Sequence, residues 1–210
     1  MLKNLLTWLI IISAILYIFI IPDWPLGIKL IFKVIPMILI IWYAFLKLPK
    51  HRLFVHYAVI IGLVFSAIGD VTLHWFIVGL SAFLIAHVFY LIGFLTQWRT
   101  SFVRSITIVP FIIYSYILGN GILQSITDNT LVIPVMVYII VITAMAWAAV
   151  MARNVYAIIG ALLFVISDSI LAWNMFVTNV PYSGIWIMTT YYSAQFLIAH
   201  SILYFNQQSD

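Results

Sequence analysis

Between Asn4 and Phe205 the chain is a succession of apolar runs, each about as long as a bilayer is thick, separated by short polar or proline-bearing stretches. A hydrocarbon core of about 30 Å takes about 20 helical residues to cross. Water is absent there, so each run has to satisfy its own peptide groups, and a helix does so within one segment. By that ruler the 210 residues form one integral membrane domain, 1–210, with spans near 4–21, 28–46, 53–75, 77–97, 103–120, 130–150, 154–176 and 184–205. The expected fold class is all-α, a polytopic bundle of eight transmembrane helices. A soluble fold is excluded by composition: with 66% hydrophobic and 7% charged residues the chain cannot cover itself with a polar surface. The expected turns fall at Pro22 and Pro25, Pro49, Gly119-Asn120-Gly121, Asp128-Asn129 and Asn179-Val180-Pro181. The cut near Phe76 has no breaker and rests on length. No small-residue cleavage site follows the first run, Leu5 to Ile21, which reads as a retained span. The absence of cysteine rules out disulfides and thiolate chemistry.

Charge orients the bundle. With eight spans, the N-terminus and the second, fourth and sixth loops share a side that holds Lys3, Lys47, Lys50, Arg52, Arg99, Arg104 and Arg153, whereas the other holds Lys29 at most, with Asp23 and Asp128. The positive-inside rule then makes both termini cytoplasmic. These basic residues orient helices and meet anionic headgroups, and nucleic acid is not an expected partner. Short loops favour a bacterial cytoplasmic membrane, or the endoplasmic reticulum membrane in a eukaryote.

Two aspartates interrupt the runs in matching contexts. Gly62, Asp70, Leu73 and Trp75 recur 98 positions later as Gly160, Asp168, Leu171 and Trp173, and Phe83-Leu84-Ile85-Ala86-His87 recurs as Phe196-Leu197-Ile198-Ala199-His200. Spans three and seven run the same way, which reads as a parallel four-plus-four duplication. A carboxylate near the bilayer centre is unfavourable by roughly 2.5 to 3.5 kcal/mol, so a chain with two of them points to use. Counting the helical rise from Arg52 and Arg153 puts Asp70 about 27 Å and Asp168 about 22 Å in, in the outer half of the membrane. Lys33, Tyr191, Tyr192 and Gln195 fall at a similar level, so these groups are expected to converge on one outward-facing cavity. Simpler roles stand beside this one. A structural ion pair suits the aspartates, and Lys33 either snorkels to headgroups or pairs with a carboxylate. Close packing suits Ser66, Ser167, Gly62, Gly69 and Gly160, interhelical hydrogen bonding suits His87 and His200, and belt anchoring suits Trp24, Trp75, Trp98, Trp173 and Trp186.

Four motifs in order, Phe65-Ser66-Ala67-Ile68-Gly69-Asp70, Ala86-His87 with Tyr90, Gly160-Ala161-Leu162-Leu163-Phe164 leading to Ser167-Asp168, and Tyr191-Tyr192-Ser193-Ala194-Gln195, resemble the lysoplasmalogenase-like YhhN family of eight-span membrane proteins, from about Lys33 to Leu203. The family often sets its lysine and proline closer together than Lys33-Val34-Ile35-Pro36 does. The resemblance implies hydrolysis of the vinyl ether of a lysophospholipid, a lysoplasmalogen, to a fatty aldehyde and glycerophosphoethanolamine or glycerophosphocholine. Such a reaction needs an acid, a base and an anionic environment, which two carboxylates in different surroundings supply. Asp70 and Asp168 are therefore the expected catalytic pair, and Lys33, Ser66, His87, Tyr191, Tyr192 and Gln195 the expected substrate-binding residues, with neither cofactor nor metal. One alternative is a metal-dependent membrane lipid amidase or esterase, with His74, His87 or His200 joining the aspartates. The other is a lipid or proton-coupled transporter, for which Pro36, Pro110 and Pro134 read as unmatched between the halves.

Overall fold

The computed structural model describes residues 2–21 and 24–205. The expected turn and charge at Pro22 and Asp23 lie outside the described residues, as does the side chain of Lys3. The described chain is helical, with no strand: α1 (Leu2–Phe19), α2 (Leu26–Leu46), α3 (Phe54–Thr72), α4 (Phe76–Leu95), α5 (Phe102–Ile106), α6 (Ile108–Ser125), α7 (Asn129–Met151), α8 (Val155–Phe176), α9 (Ser183–Ser201) and a final 3-10 turn, Ile202–Tyr204. Six segments are long and apolar enough to cross a membrane: α2, α3, α4, α7, α8, and α5 with α6 taken together as Phe102–Ser125. The apolar part of α1, Asn4–Phe19, is shorter. Helix α9 carries Thr189, Thr190, Ser193, Gln195 and His200 among its apolar residues.

Local chemistry sets the ends. Asp128 caps α7, accepting from the Thr130 hydroxyl and amide at 2.7 and 2.9 Å, and these bonds hold its carboxyl below the usual carboxylate range. Asn154 caps α8 by accepting from the amides of Tyr156 and Ala157, while its own amide donates to the Ser201 carbonyl at 2.9 Å, tying the start of α8 to the end of α9.

Several turns differ from their sequence reading. Gly119-Asn120-Gly121 does not break the chain, because α6 continues to Ser125 and the reversal falls at Ile126 to Asp128. Gly121 is there for packing: a Cβ on it would stand 3.0 Å from the Trp173 ring. The break lies earlier, at Thr107, with Pro110 in the first turn of α6, where its missing N–H costs nothing. The reversal near Phe76 is real and takes only Leu73 to Trp75. It is possible because Gly79 lets α4 lie against the Leu73 backbone, where a Cβ would sit 2.5 Å from Leu73 Cα. The prolines are matched after all: Pro36 lies inside α2 and Pro134 inside α7, 98 positions apart like the aspartates.

Helix contacts come in pairs. The most extensive are α3 on α4 and α8 on α9; α2 packs on α3 as α7 does on α8, α1 on α2 as α6 on α7, and α4 on α7 as α9 on α2. Small residues permit the closest approaches, as expected where apolar lipid offers helices little driving force beyond packing. Gly62 and Gly69 of α3 receive the rings of Tyr90 and Phe83 from α4, and Gly160 of α8 receives Ile198 and the Ala194 carbonyl from α9. Lys47, Lys50, Arg52, Arg99 and Arg153 lie in links gathered at one end of the bundle. There the Arg99 amide donates to the Met151 carbonyl and Tyr43 meets His200.

Replacing Gly79 by alanine forces Leu73 backbone to move and is expected to destabilise the protein by about 1–3 kcal/mol, an overpacking cost. Gly184→Ala, with nothing within 4 Å of the new methyl, is expected to be neutral or slightly stabilising. Thermal unfolding of both variants in detergent checks the pair.

Candidate active site

Asp70 sits in the last turn of α3 with both carboxylate oxygens engaged. The Lys33 ammonium, from α2, is 3.2 Å from Oδ1 and also donates to the Asp70 carbonyl, and the Tyr191 hydroxyl, from α9, donates to Oδ2 at 2.7 Å. The aspartate is 2% exposed. Lys33 thus pairs with a carboxylate rather than reaching for headgroups. Tyr192 supports the lysine from behind, its hydroxyl donating to the Lys33 carbonyl at 2.8 Å. That carbonyl lies in the turn before Pro36, next to the Phe32 carbonyl whose helical donor the proline removes.

Asp168, at the matching place on α8, has different company. The Tyr138 hydroxyl of α7 donates to its Oδ2, and His87 Nε2 of α4 stands 4.0 Å from the same oxygen. The histidine's other nitrogen, Nδ1, is 2.7 Å from the Phe83 carbonyl. A carbonyl only accepts, so Nδ1 carries the proton, and in a neutral ring Nε2 presents its lone pair to the carboxyl. Nε2 is buried with no other partner. Among the described residues no lysine or arginine pairs with Asp168, whose side chain is 14% exposed.

An aromatic layer separates the two carboxyls. Phe164 packs edge-to-face on His87, Phe83 and Tyr191, with ring centroids 4.5, 6.4 and 5.4 Å away. Phe164 is 98 positions after Ser66, so the second half holds a ring where the first holds a hydroxyl. One turn deeper, Gln195 accepts from the Tyr90 hydroxyl at 2.8 Å beside Ser66, and all three are fully buried. His200 lies at the far end of α9 against Tyr43, 2.6 Å from its hydroxyl.

A cavity opens between the end of α3 and helices α4, α6, α7 and α8. Its wall includes Asp168, Tyr138, Ser169, Thr143 and Phe83 among apolar side chains, and no basic residue. Of the expected catalytic and substrate-binding residues, Asp168 alone borders this space. Lys33, Asp70, Tyr191 and Tyr192 converge with one another behind the aromatic layer, Ser66 and Gln195 lie below it, and His87 reaches Asp168 from within it. Tyr138 went unnoticed in the sequence; its position, one turn after the proline of α7, was the available signal. His74 lies over Trp75, and among the described residues no three His, Asp or Glu side chains come together as a metal site.

The model of the YhhN family matches residues 28–202. The chain is 36% identical over 146 residues to the lysoplasmalogenase TMEM86B of Mus musculus, covering 68% of this chain and 62% of that protein. It is 35% identical over 161 residues to the lysoplasmalogenase TMEM86A of Homo sapiens, 68% and 64% of the two chains, and 29% identical over 161 residues to a lysoplasmalogenase of Mycobacterium bovis, 71% and 61%. The chain thus spans about three fifths of the length of the curated relatives it matches. No solved structure matches it.

Lys33→Met leaves the Asp70 charge buried without a cation and is expected to destabilise the protein by about 3–5 kcal/mol, whereas Lys33→Met combined with Asp70→Asn should recover most of that loss. Thermal unfolding of the single and double variants in detergent measures the coupling; equal losses in both would show the pair to be energetically idle.

Proposed function

This chain belongs to the YhhN family, and from that membership we propose that it hydrolyses the vinyl ether bond of lysoplasmalogens, releasing a fatty aldehyde and glycerophosphoethanolamine or glycerophosphocholine. The observation that carries the mechanism is a carboxyl group without a cation, Asp168, facing an apolar cavity with a histidine lone pair beside it. Asp70 is the ionised member, because it faces an ammonium. A second negative charge in the same dry interior is disfavoured, so Asp168 is the member that keeps a proton. It donates that proton to the vinyl carbon distal to the ether oxygen, and the carbon next to the oxygen becomes part of an oxocarbenium ion. The Asp168 carboxylate then faces this cation across van der Waals distance, the arrangement that stabilises the related ion in glycoside hydrolysis. Water adds to the cationic carbon and gives up a proton to Asp168 or to His87 Nε2. Collapse of the hemiacetal moves a proton to the departing glycerol oxygen and leaves the aldehyde. Tyr138 holds Oδ2, so that Oδ1 is the oxygen that faces substrate.

The remaining expected site residues act through the wall rather than by touch. Lys33 and Tyr191 hold Asp70, Tyr192 holds the Lys33 turn, and Ser66, Tyr90 and Gln195 form the polar layer on which α3, α4 and α9 register. We take the eight long helices, with α5 and α6 as one, to be eight spans, with both termini on the side of the basic links. The paired packing and the shared interval of 98 between aspartates and between intrahelical prolines support a parallel duplication.

Asp168→Asn is expected to lower aldehyde release by about two to four orders of magnitude, the usual worth of a general acid, without changing the melting temperature by more than a few degrees. Mass-spectrometric detection of fatty aldehyde from a lysoplasmalogen panel measures this, and near-wild-type turnover would remove Asp168 from the chemistry. Asp70→Asn is tested in combination with Lys33→Met, the pairing expected to keep most of the stability, and should also lose activity. For topology, the cysteine-free chain accepts single reporters. A cysteine at Lys50 or Gln97 should react with an impermeant thiol reagent only from the cytoplasmic side, and one at Ser183 only from the other.

A further inference from the structure

The cavity at Asp168 continues sideways. It shares Tyr114 and Val165 with a second, more open groove between α6 and α8, lined further by Pro110, Phe111, Leu162 and Ile166. At the junction the Tyr114 hydroxyl donates to Ser169 Oγ at 2.8 Å, and Ser169 in turn donates to the Val165 carbonyl at 2.6 Å. This bond bridges two helices that otherwise touch little, since α6 packs chiefly on α7 and only lightly on α8. Tyr114, Leu162 and Ile166 are exposed at the mouth, on a surface that faces lipid in a membrane-spanning bundle.

The walls select the occupant. The groove carries no charged residue and only the hydroxyls of Thr107 and Tyr114, whereas the cavity adds Asp168 and the hydroxyls of Ser115, Tyr138, Thr143 and Ser169, so of the two the groove is the one that offers nothing to pair with a headgroup. What fits is a single hydrocarbon chain. From Asp168 the groove runs toward the N-terminal half of α8 as far as Leu162, six residues or about 9 Å, and the cavity runs the other way to Phe176, about 12 Å. A molecule whose reactive bond stands at Asp168 can therefore send its chain one way and its polar end the other.

We infer that the α6–α8 groove seats the alkenyl chain of the lysolipid, which enters sideways from the bilayer past the Tyr114–Ser169 hydrogen bond. The inference rests on the proposed vinyl ether hydrolysis for where it puts the reactive bond. A chain coming from lipid is already in hydrocarbon, so the groove gains no hydrophobic transfer energy and selects by shape and packing. Blocking it should then discriminate among chain lengths rather than weaken all substrates alike.

Two measurements on the full chain in lipid nanodiscs test this. The first is photolabelling with an alkyl-ether lysophosphatidylethanolamine that bears a diazirine near the middle of its alkyl chain and cannot be hydrolysed as a vinyl ether. Label is expected on peptides containing Phe111 and Leu162 to Ile166, and to be displaced by unlabelled lysolipid. Label spread evenly over lipid-facing helices, α1 included, would mark ordinary boundary lipid and overturn the proposal. The second is the ratio of kcat/KM for long-chain over short-chain lysoplasmalogens. Leu162→Trp should lower that ratio by about tenfold, a mid-range overpacking effect, while Ile12→Trp, a bulky change on lipid-facing α1, should leave it unchanged. An unchanged ratio in Leu162→Trp also overturns the proposal. Failure of the parent reading looks different: wild type would release no aldehyde, yet displaceable label at the groove would still support a lysolipid chain site.

Discussion

A carboxylate in hydrocarbon must be neutralised, solvated by protein, or left protonated, and at Asp70 the bundle provides both a cation and a hydrogen-bond donor. At Asp70 the ion pair with Lys33 and the hydrogen bond from Tyr191 join α2, α3 and α9 at one point. In a low-dielectric interior each partner is costly without the other, so the three helices cannot slide or rotate independently. The Tyr192 bond to the Lys33 carbonyl extends the same knot to the proline turn of α2. Glycines then let α4 close on α3, and the rings of Phe83 and Tyr90 fill the contact.

Asp168 depends on that arrangement while differing from it. Its helix, its aspartate and the proline of its neighbour repeat the first half at a constant interval, but the cation does not repeat. A tyrosine hydroxyl and a histidine ring stand in its place, next to open space instead of a closed contact. The two aspartates stand in different surroundings, and the surroundings, not the side chain, decide which carboxyl is comfortable as an anion. The ring of Phe164, where the first half has Ser66, keeps the two environments apart.

Helix boundaries were legible to within a few residues, because bilayer thickness limits the length of an apolar run and the chain must turn. The turn before Phe76 was correct for that reason alone. Gly119-Asn120-Gly121 misled because glycine and asparagine break helices in water, whereas in a bilayer the helix is held by the cost of exposing its peptide groups, and a glycine marks where Trp173 comes close. The aspartates, Lys33, Tyr191 and His87 were legible as polar exceptions in apolar runs. Tyr138, Tyr114 and Ser169 were not, since a tyrosine or serine in such a run is unremarkable until its hydroxyl is seen to have a partner.

What the sequence determined by itself was the solvent, the number and extent of the long helices, and the interval that relates Asp70 to Asp168. These follow from quantities local in the chain: length, polarity and spacing. Which aspartate owns the lysine, which faces the cavity, and which tautomer His87 presents were decided only in three dimensions. The first two depend on groups that meet across helices, 121 residues apart for Tyr191 and Asp70 and 159 for Tyr192 and Lys33, and the third on a contact within α4 that only coordinates reveal. No periodicity along the chain encodes that distance; packing does, through the few places where a missing Cβ lets two helices approach.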